Sequence, residues 1–341
     1  MTSSGGISAI SPTCSRARDR RWRKPAHEQG QRRTVSPGPA EFTAAAAPGG
    51  GATLERWRAL AALAAQDLAA CKLAEAHWDA LVILEDLGIE APRDARSWGV
   101  WAAENPRAPL SLQRAGDGDV LVGCKSWCSG ADVVSHALLT CEDAERGPCF
   151  VLLDMRAPGI SLDRQGWQAL GMRHVHTPQL RFDHTPVRLL GERSEYLQRP
   201  GFWHGGAGIA ACWYGAACEI AQLLRTRLHE DQPHAAAHLG TMFTQLRAAR
   251  SMFHQLAQRL DAQPHEPWVE EVQALRSFVR RVASDTIERS ARAMGPAPLC
   301  NDAAHAQRCA DLAVWCTQQH AEKDDAELAR LTQAPSVVWE L

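Results

Sequence analysis

Gly123-Cys124-Lys125-Ser126-Trp127-Cys128-Ser129-Gly130-Ala131 is the stretch on which the fold of this chain turns. Alone, it is a strand running into a turn, with one large aromatic ring among small residues. It lies in a region, about 97 to 187, whose texture is β throughout. Short apolar runs at 119–123, 136–141, 149–154 and 179–183 are separated by turn signals such as Gly116-Asp117-Gly118 and Ala157-Pro158-Gly159. That spacing suits a small antiparallel barrel or sandwich.

Helical periodicity flanks this region on both sides. Before it, Leu60, Leu63, Leu68, Leu73, Ala76, Leu81 and Leu84 recur at helical spacing, with Asp67 near a break. Gly88 and Pro92 stop the pattern. After it, segments 205–228, 234–260, 268–294 and 305–331 each read as a helix. In the second, Leu239, Met242, Leu246, Ala249, Phe253 and Leu256 share a face. Four helices with short connections predict an antiparallel four-helix bundle. The expected class is α+β: N-terminal helices at 53–95, a β domain at 96–195 and a helical bundle at 196–335. Residues 1–52, rich in Ser, Gly, Pro and Ala, with a basic cluster from Arg16 to Lys24, read as a disordered tail. A basic arm and an Arg-rich transit peptide are the other readings of that segment.

The bulk numbers exclude some function classes. The chain has 341 residues, 45% of them apolar, and a net charge of −2, so the whole molecule offers no electrostatic case for nucleic acid. No stretch approaches the roughly 18 uninterrupted apolar residues of a membrane helix. The 11 cysteines form no C-x-x-C pair, which argues against zinc and for a reduced, cytoplasmic setting. His174 and His176 could share one strand face, but two ligands without a third make no metal site, so none is expected.

The local motifs carry a resemblance. The opening stretch resembles the "G-x-K-x-W-I-T-N-A/G" strand of the acyl-CoA dehydrogenases. Leu170-Gly171-Met172-Arg173, Thr177 and Leu180-Arg181-Phe182-Asp183-His184-Thr185-Pro186-Val187 resemble that family's "GMR…S/T…V-x-F-D-D-V-x-V-P". Arg199-Pro200-Gly201-Phe202-Trp203-His204-Gly205-Gly206-Ala207-Gly208 is similar to the small-residue start of its first bundle helix. Met294-Gly295, Arg308 to Leu312 and Gln318 to Asp324 fall where it has its "G-G-x-G" turn, its "R-D-A" helix and its active-site segment. The four matches come in order.

The resemblance implies an FAD-dependent oxidoreductase of fatty-acid-type metabolism. It would dehydrogenate an acyl-CoA-like thioester at Cα–Cβ, with an electron-acceptor protein as a further partner and a homodimer or homotetramer as the assembly. It places Trp127 on the flavin ring, Cys128 beside it and Ser129 near the flavin N5. The physics is sensible, since a flat aromatic shields the ring from water and a short hydroxyl tunes it. It places Ala103, in Trp101-Ala102-Ala103-Glu104-Asn105-Pro106, where the family's "T-E-P-x-A-G-S-D" touches the cofactor, although the Gly-Ser-Asp is missing. It also implies Arg225, or Arg227 beside it, as the cation of an altered "R-x-x-F-G", meeting the flavin diphosphate of a neighbouring subunit, and Gly295 as the remnant of the glycine turn. Arg199 would hold an anionic group, with His204 beside the substrate.

The family's catalytic Glu falls at Gln319, which cannot be a base. Glu322, one turn on, and His320, with an ordinary pKa near 6.5, are the candidates to replace it. A second branch of the family takes its base from the first bundle helix, where this chain has Gln198. Two alternatives remain open: a flavin monooxygenase-like member, and a non-catalytic relative serving as a binding or assembly module.

Overall fold

A computed structural model describes residues 51–333 except 108, 117, 164 and 165. The expected tail therefore lies outside the described residues but for its last two. Two helices come first, α1 (Thr53–Gln66) and α2 (Leu68–Asp86). Asp67 divides them: its extended backbone ends one helix and its carboxylate accepts from the Ala70 N–H to cap the next.

Seven strands follow, β1 (Trp98–Trp101), β2 (Leu110–Ala115), β3 (Gly118–Lys125), β4 (His136–Asp143), β5 (Gly147–Asp154), β6 (Ile160–Asp163) and β7 (Gln179–Glu192). Strand β4 pairs with β5, β5 with β7, β7 with β3, β3 with β2, and β2 back with β4, so five strands close on themselves. The barrel is not wholly antiparallel as expected, because β4 runs parallel to both β1 and β2. Alternate residues such as Leu112, Leu121, Leu139, Val151, Leu153 and Phe182 fill its interior.

Seven helices close the described chain: α3 (Arg193–Gln198), α4 (Pro200–Arg227), α5 (Pro233–Ala262), α6 (Val269–Met294), α7 (Ala297–Asn301), α8 (Ala303–Trp315) and, after a 3-10 turn at Cys316–Gln318, α9 (Glu322–Leu331). Helix α4 begins at Pro200, earlier than its apolar pattern, because proline's fixed φ and missing N–H suit a first helical turn. By length and composition alone α4 could cross a membrane, yet 67% of its most apolar window is buried within the protein.

The helical layer departs from the expected set of four. Helix α1 packs along α4, so closely that a Cβ on Gly215 would lie 2.1 Å from the Ala61 carbonyl oxygen. The last expected helix is divided at Gln319-His320-Ala321, where Ala321 takes φ +43°. Trp315 Nε1 donates to Gln318 Oε1 at 2.7 Å and Ala321 N to Gln319 Oε1 at 2.9 Å. Side-chain acceptors thus replace helical partners, without a Gly or Pro to announce the break.

Two of the contacts that join layer to barrel bear on the site. Phe150 of β5 stacks on Tyr196 of α3 at 4.7 Å, in a core shared with Ile83 and Leu84 of α2. Gly171-Met172 docks on α8, where the Met172 N–H donates to the buried Asp311 carboxylate. The motif residues that carried the resemblance therefore form an inter-layer joint.

Candidate functional site

The joint leaves a cleft of about 880 Å³ between α2, α4, the barrel and the end of α8. A second hollow of about 620 Å³ adjoins it toward α6 and α9, sharing Glu75, Asp79, Phe202 and Arg276 with the first.

The opening stretch of sequence builds one wall. Lys125, at the end of β3, is buried and held by three acceptors: the Thr140 carbonyl and hydroxyl at 2.8 Å each and Glu104 at 3.3 Å. A buried ammonium must be paired in this way, so this lysine and the Glu104 retained from the family pattern are structural. The chain then turns. Trp127 sits at φ +64° and leaves its ring 58% exposed on the cleft wall. For an aromatic residue that backbone costs about 1–2 kcal/mol, the kind of strain that concentrates at functional positions.

Neighbours hold the turn in place. Cys128 N donates to Pro178 O at 3.2 Å and Gly130 N to His176 O at 2.7 Å. Trp101 Nε1 donates to Ser129 O at 3.0 Å, and the Thr177 hydroxyl to Ser129 Oγ at 3.3 Å. Trp127, Ser129 and Ala103 all line the cleft. Cys128 does not: its side chain is fully buried in the barrel core, its thiol donates to Lys125 O at 3.3 Å, and burial raises its pKa to about 12. The alternation that turns Trp127 outward turns Cys128 inward.

The other expected residues divide. His320 lines the cleft, exposed, with Nδ1 3.6 Å from Asp324. Glu322 does not; it is exposed on the first turn of α9, away from both hollows. Gln319 is buried and lines the second hollow, so the position of the family's carboxylate faces inward with an amide. Arg199 is also corrected. It is buried, its guanidinium lies 2.9 Å from Asp86 and 3.5 Å from Asp79, and it does not reach the cleft surface. Two carboxylates already satisfy the charge it was expected to offer.

His204 turns from the cleft to place Nε2 2.8 Å from the Glu266 carbonyl, and burial lowers its pKa. Its neighbours Phe202, Trp203, Gly205 and Gly206 face the hollows instead. Gly295, at φ +67°, ends α6 and lines neither hollow. Arg225 is exposed at the far end of α4, 16 residues beyond cleft-lining Ile209, or about 24 Å along the helix. It cannot serve the cleft of its own chain.

Sequence reasoning missed four charged residues of the site. Lys72, Glu75 and Asp79, with Ala76, occupy one face of α2 and line the cleft. Their spacing of three, four and seven was legible as a polar stripe inside an apolar helix. Glu75 is buried, 3.5 Å from Lys72, and its pKa is raised, first by burial and further by Asp79, against the pull of Lys72. Gly205 leaves room beside Asp79, since a Cβ there would lie 3.1 Å from the carboxylate. Arg276 of α6 lines both hollows; Nη1 donates to Gly206 O at 2.5 Å, and the guanidinium carbon lies 5.2 Å from the Trp213 ring centre. Nothing in the sequence marked it.

Metal chemistry finds little support among the described residues. His176 pairs with Asp132 at 3.1 Å while His174 accepts from Arg173, so the two histidines do not converge. Asp94, His136 and Asp154 bring ligand atoms within 4.8 Å of one another, but Arg156 donates to both carboxylates, at 2.7 Å to Asp154.

No family model and no curated protein matches the sequence. Solved structures do match in fold. A nitrososynthase from Micromonospora carbonacea var. africana is 17% identical with a TM-score of 0.71, over 83% of this chain and 82% of that one. A glutaryl-CoA dehydrogenase from Mycobacterium smegmatis, in complex with FADH2, is 16% identical with a TM-score of 0.72, over 84% and 81%. TdsC from Paenibacillus, with FMN and indole, is 15% identical with a TM-score of 0.72, over 84% and 86%. The chain has the fold of these acyl-CoA dehydrogenase-type flavoproteins, at low sequence identity.

Proposed function

We propose that the protein is a flavin-dependent oxidoreductase acting on a small acyl or related organic substrate. The observation that carries this reading is Trp127, an exposed ring on a strained backbone, in the same cleft as the buried carboxyl of Glu75. The residues present fit a flavin ring: a flat aromatic surface, the Ser129 hydroxyl beside it, and a hollow of ligand size. When bound, a flavin would supply two-electron chemistry and accept a hydride. The neighbours solved with FMN or FADH2 support this part of the reading.

The chain's own residues account for the rest. Trp127 would cover one face of the ring and exclude water. Glu75 would move the proton, because burial brings its pKa up toward working pH, where a positioned carboxyl is worth on the order of 10²–10⁴ in rate. Lys72 would hold Glu75 in place. His320, exposed on the cleft rim, is a second proton carrier in this reading. FAD is the proposed form of the cofactor. Arg225 would then meet its diphosphate only from a second copy, so a homodimer or homotetramer belongs to the proposal.

Gln319 favours a second reading. With an amide where the family removes an α-proton, oxygen-dependent chemistry of the monooxygenase type fits better than acyl-CoA dehydrogenation. The nitrososynthase among the neighbours is in keeping with it.

The test is reconstitution of the purified full chain with FAD and, separately, with FMN, followed by visible absorbance and tryptophan quenching. Binding weakened tenfold or more by Trp127→Ala supports the reading. A colourless protein that takes up neither flavin removes it in favour of a binding or assembly module.

A further inference from the structure

The charges lining the two hollows are unevenly paired. Lys72 has Glu75, and Asp324 has His320, which also donates its backbone N–H to Asp324 at 3.0 Å. Arg199, just outside, has Asp86 and Asp79. Arg276 has no carboxylate within ion-pairing distance among the described residues. Its protein contacts are one carbonyl, that of Gly206, and the face of Trp213. Burial lowers its pKa, while the more distant Asp324 and Glu75 oppose that. The buried Arg56 also has no carboxylate within ion-pairing distance among the described residues, but it lines neither hollow.

One turn before Arg276 on the same face of α6, Gln273 also lines the second hollow. Its Oε1 is buried with no hydrogen-bond partner among the described residues. An unpaired guanidinium and an unsatisfied amide, side by side on a cavity wall, are costly unless something occupies the cavity. With Nη1 engaged by Gly206, the Nε–Nη2 edge of Arg276 remains, a planar fork matched to two oxygens.

We propose that Arg276 and Gln273 form a carboxylate-binding site in the hollow beside the Trp127 cleft, so that the substrate of this protein carries a free carboxylate. The assignment to substrate rests on the flavin reading above; the site itself does not. The guanidinium edge takes the two carboxylate oxygens, and the Gln273 amide, turned so that Nε2 faces the hollow, donates to them. Glu75 and Asp324, whose charges are felt at Arg276, oppose a doubly charged phosphate more than a singly charged carboxylate. The aromatic wall from Phe202 and Trp203 suits the carbon chain behind the carboxylate.

The experiment is a titration of the full chain with glutarate, its neutral isostere glutaramide, and inorganic phosphate, followed by tryptophan fluorescence at low ionic strength. Glutarate should bind saturably and glutaramide should not. Arg276→Gln should weaken glutarate about tenfold or more, the usual worth of a charge-assisted pair. Arg292→Gln, a surface cation paired with Glu288, should leave binding unchanged. Equal responses to glutarate and glutaramide, or tighter binding of phosphate, would overturn the proposal, as would unaltered binding in Arg276→Gln. Should Arg276→Gln not fold, Arg276→Lys and the comparison of ligands on the natural chain still decide. The flavin reading is scored separately by reconstitution: glutarate binding without flavin uptake would keep the site and dissociate it from redox chemistry.

Discussion

Gly171→Ala tests the joint that shapes the cleft. An ideal Cβ at Gly171 would lie 2.0 Å from the Ala310 carbonyl oxygen, 2.5 Å from its carbon and 2.8 Å from Val314 Cγ2. Two of these atoms are helix backbone in α8, so relief requires the loop and the helix to part. Overpacking of this kind costs about 1–3 kcal/mol, offset by about 0.4–1 kcal/mol from the less flexible unfolded chain. At roughly 2–4 °C per kcal/mol for a chain of this size, the mid-value net cost of about 1.3 kcal/mol should lower the apparent melting midpoint by about 3–5 °C, and the upper end by about 10 °C. Gly240→Ala is the control: it is exposed within α5, nothing lies within 4 Å of its added Cβ, and helix propensity alone should raise stability by about 0.5–1 kcal/mol. The assay is thermal unfolding by circular dichroism, with flavin uptake measured in parallel, because Met172 and Val314 line the cleft and would move with the joint. A Gly171→Ala protein that melts at or above the natural midpoint and takes up flavin normally would refute the close approach and the role given to the joint.

Three further outcomes are expected. Arg199→Gln should destabilise the protein, since it leaves Asp79 and Asp86 near each other without their cation, yet leave glutarate binding intact; a loss of glutarate affinity in a folded variant would restore Arg199 as the anion site. The raised pKa of Glu75 means the folded state holds that proton longer than the unfolded chain. Stability of the natural protein relative to Glu75→Gln should therefore fall as pH rises above about 4.5 through the shifted pKa, and a difference that stays flat from pH 4 to 8 in thermal melts would contradict it. His204 has a lowered pKa, so below about 6.5 the unfolded chain binds the proton first. The natural protein should lose stability relative to His204→Gln as pH drops from 7.5 to 5.5, and an unchanging gap would show that burial of the imidazole has been overstated.

Legibility from sequence followed the range of the interaction. The strand leading to Trp127, the cap at Asp67 and the starts of α5 and α6 depend on neighbours a few residues away, and the local pattern located them. The break at Gln319 was hidden because its partners are side-chain amides, not a Gly or Pro. Arg199 and His204 looked like site residues because residue type reveals capacity, not occupancy. Their partners, Asp86 and Glu266, stand 113 and 62 residues away in the chain.

The sequence by itself determined the element order, the strand-to-turn placement of Trp127 and Ser129, and the lack of a carboxylate at Gln319, because these follow from residue identity and local backbone preference. Tertiary structure alone decided which charges are spent and which are free. It paired Arg199, left Arg276 without a carboxylate partner among the described residues, turned Cys128 inward beside an exposed Trp127, and brought Glu75 of the second helix into a cleft with a barrel residue. Electrostatic pairing and burial depend on distance in space, and the chain brings those groups together only when its layers pack.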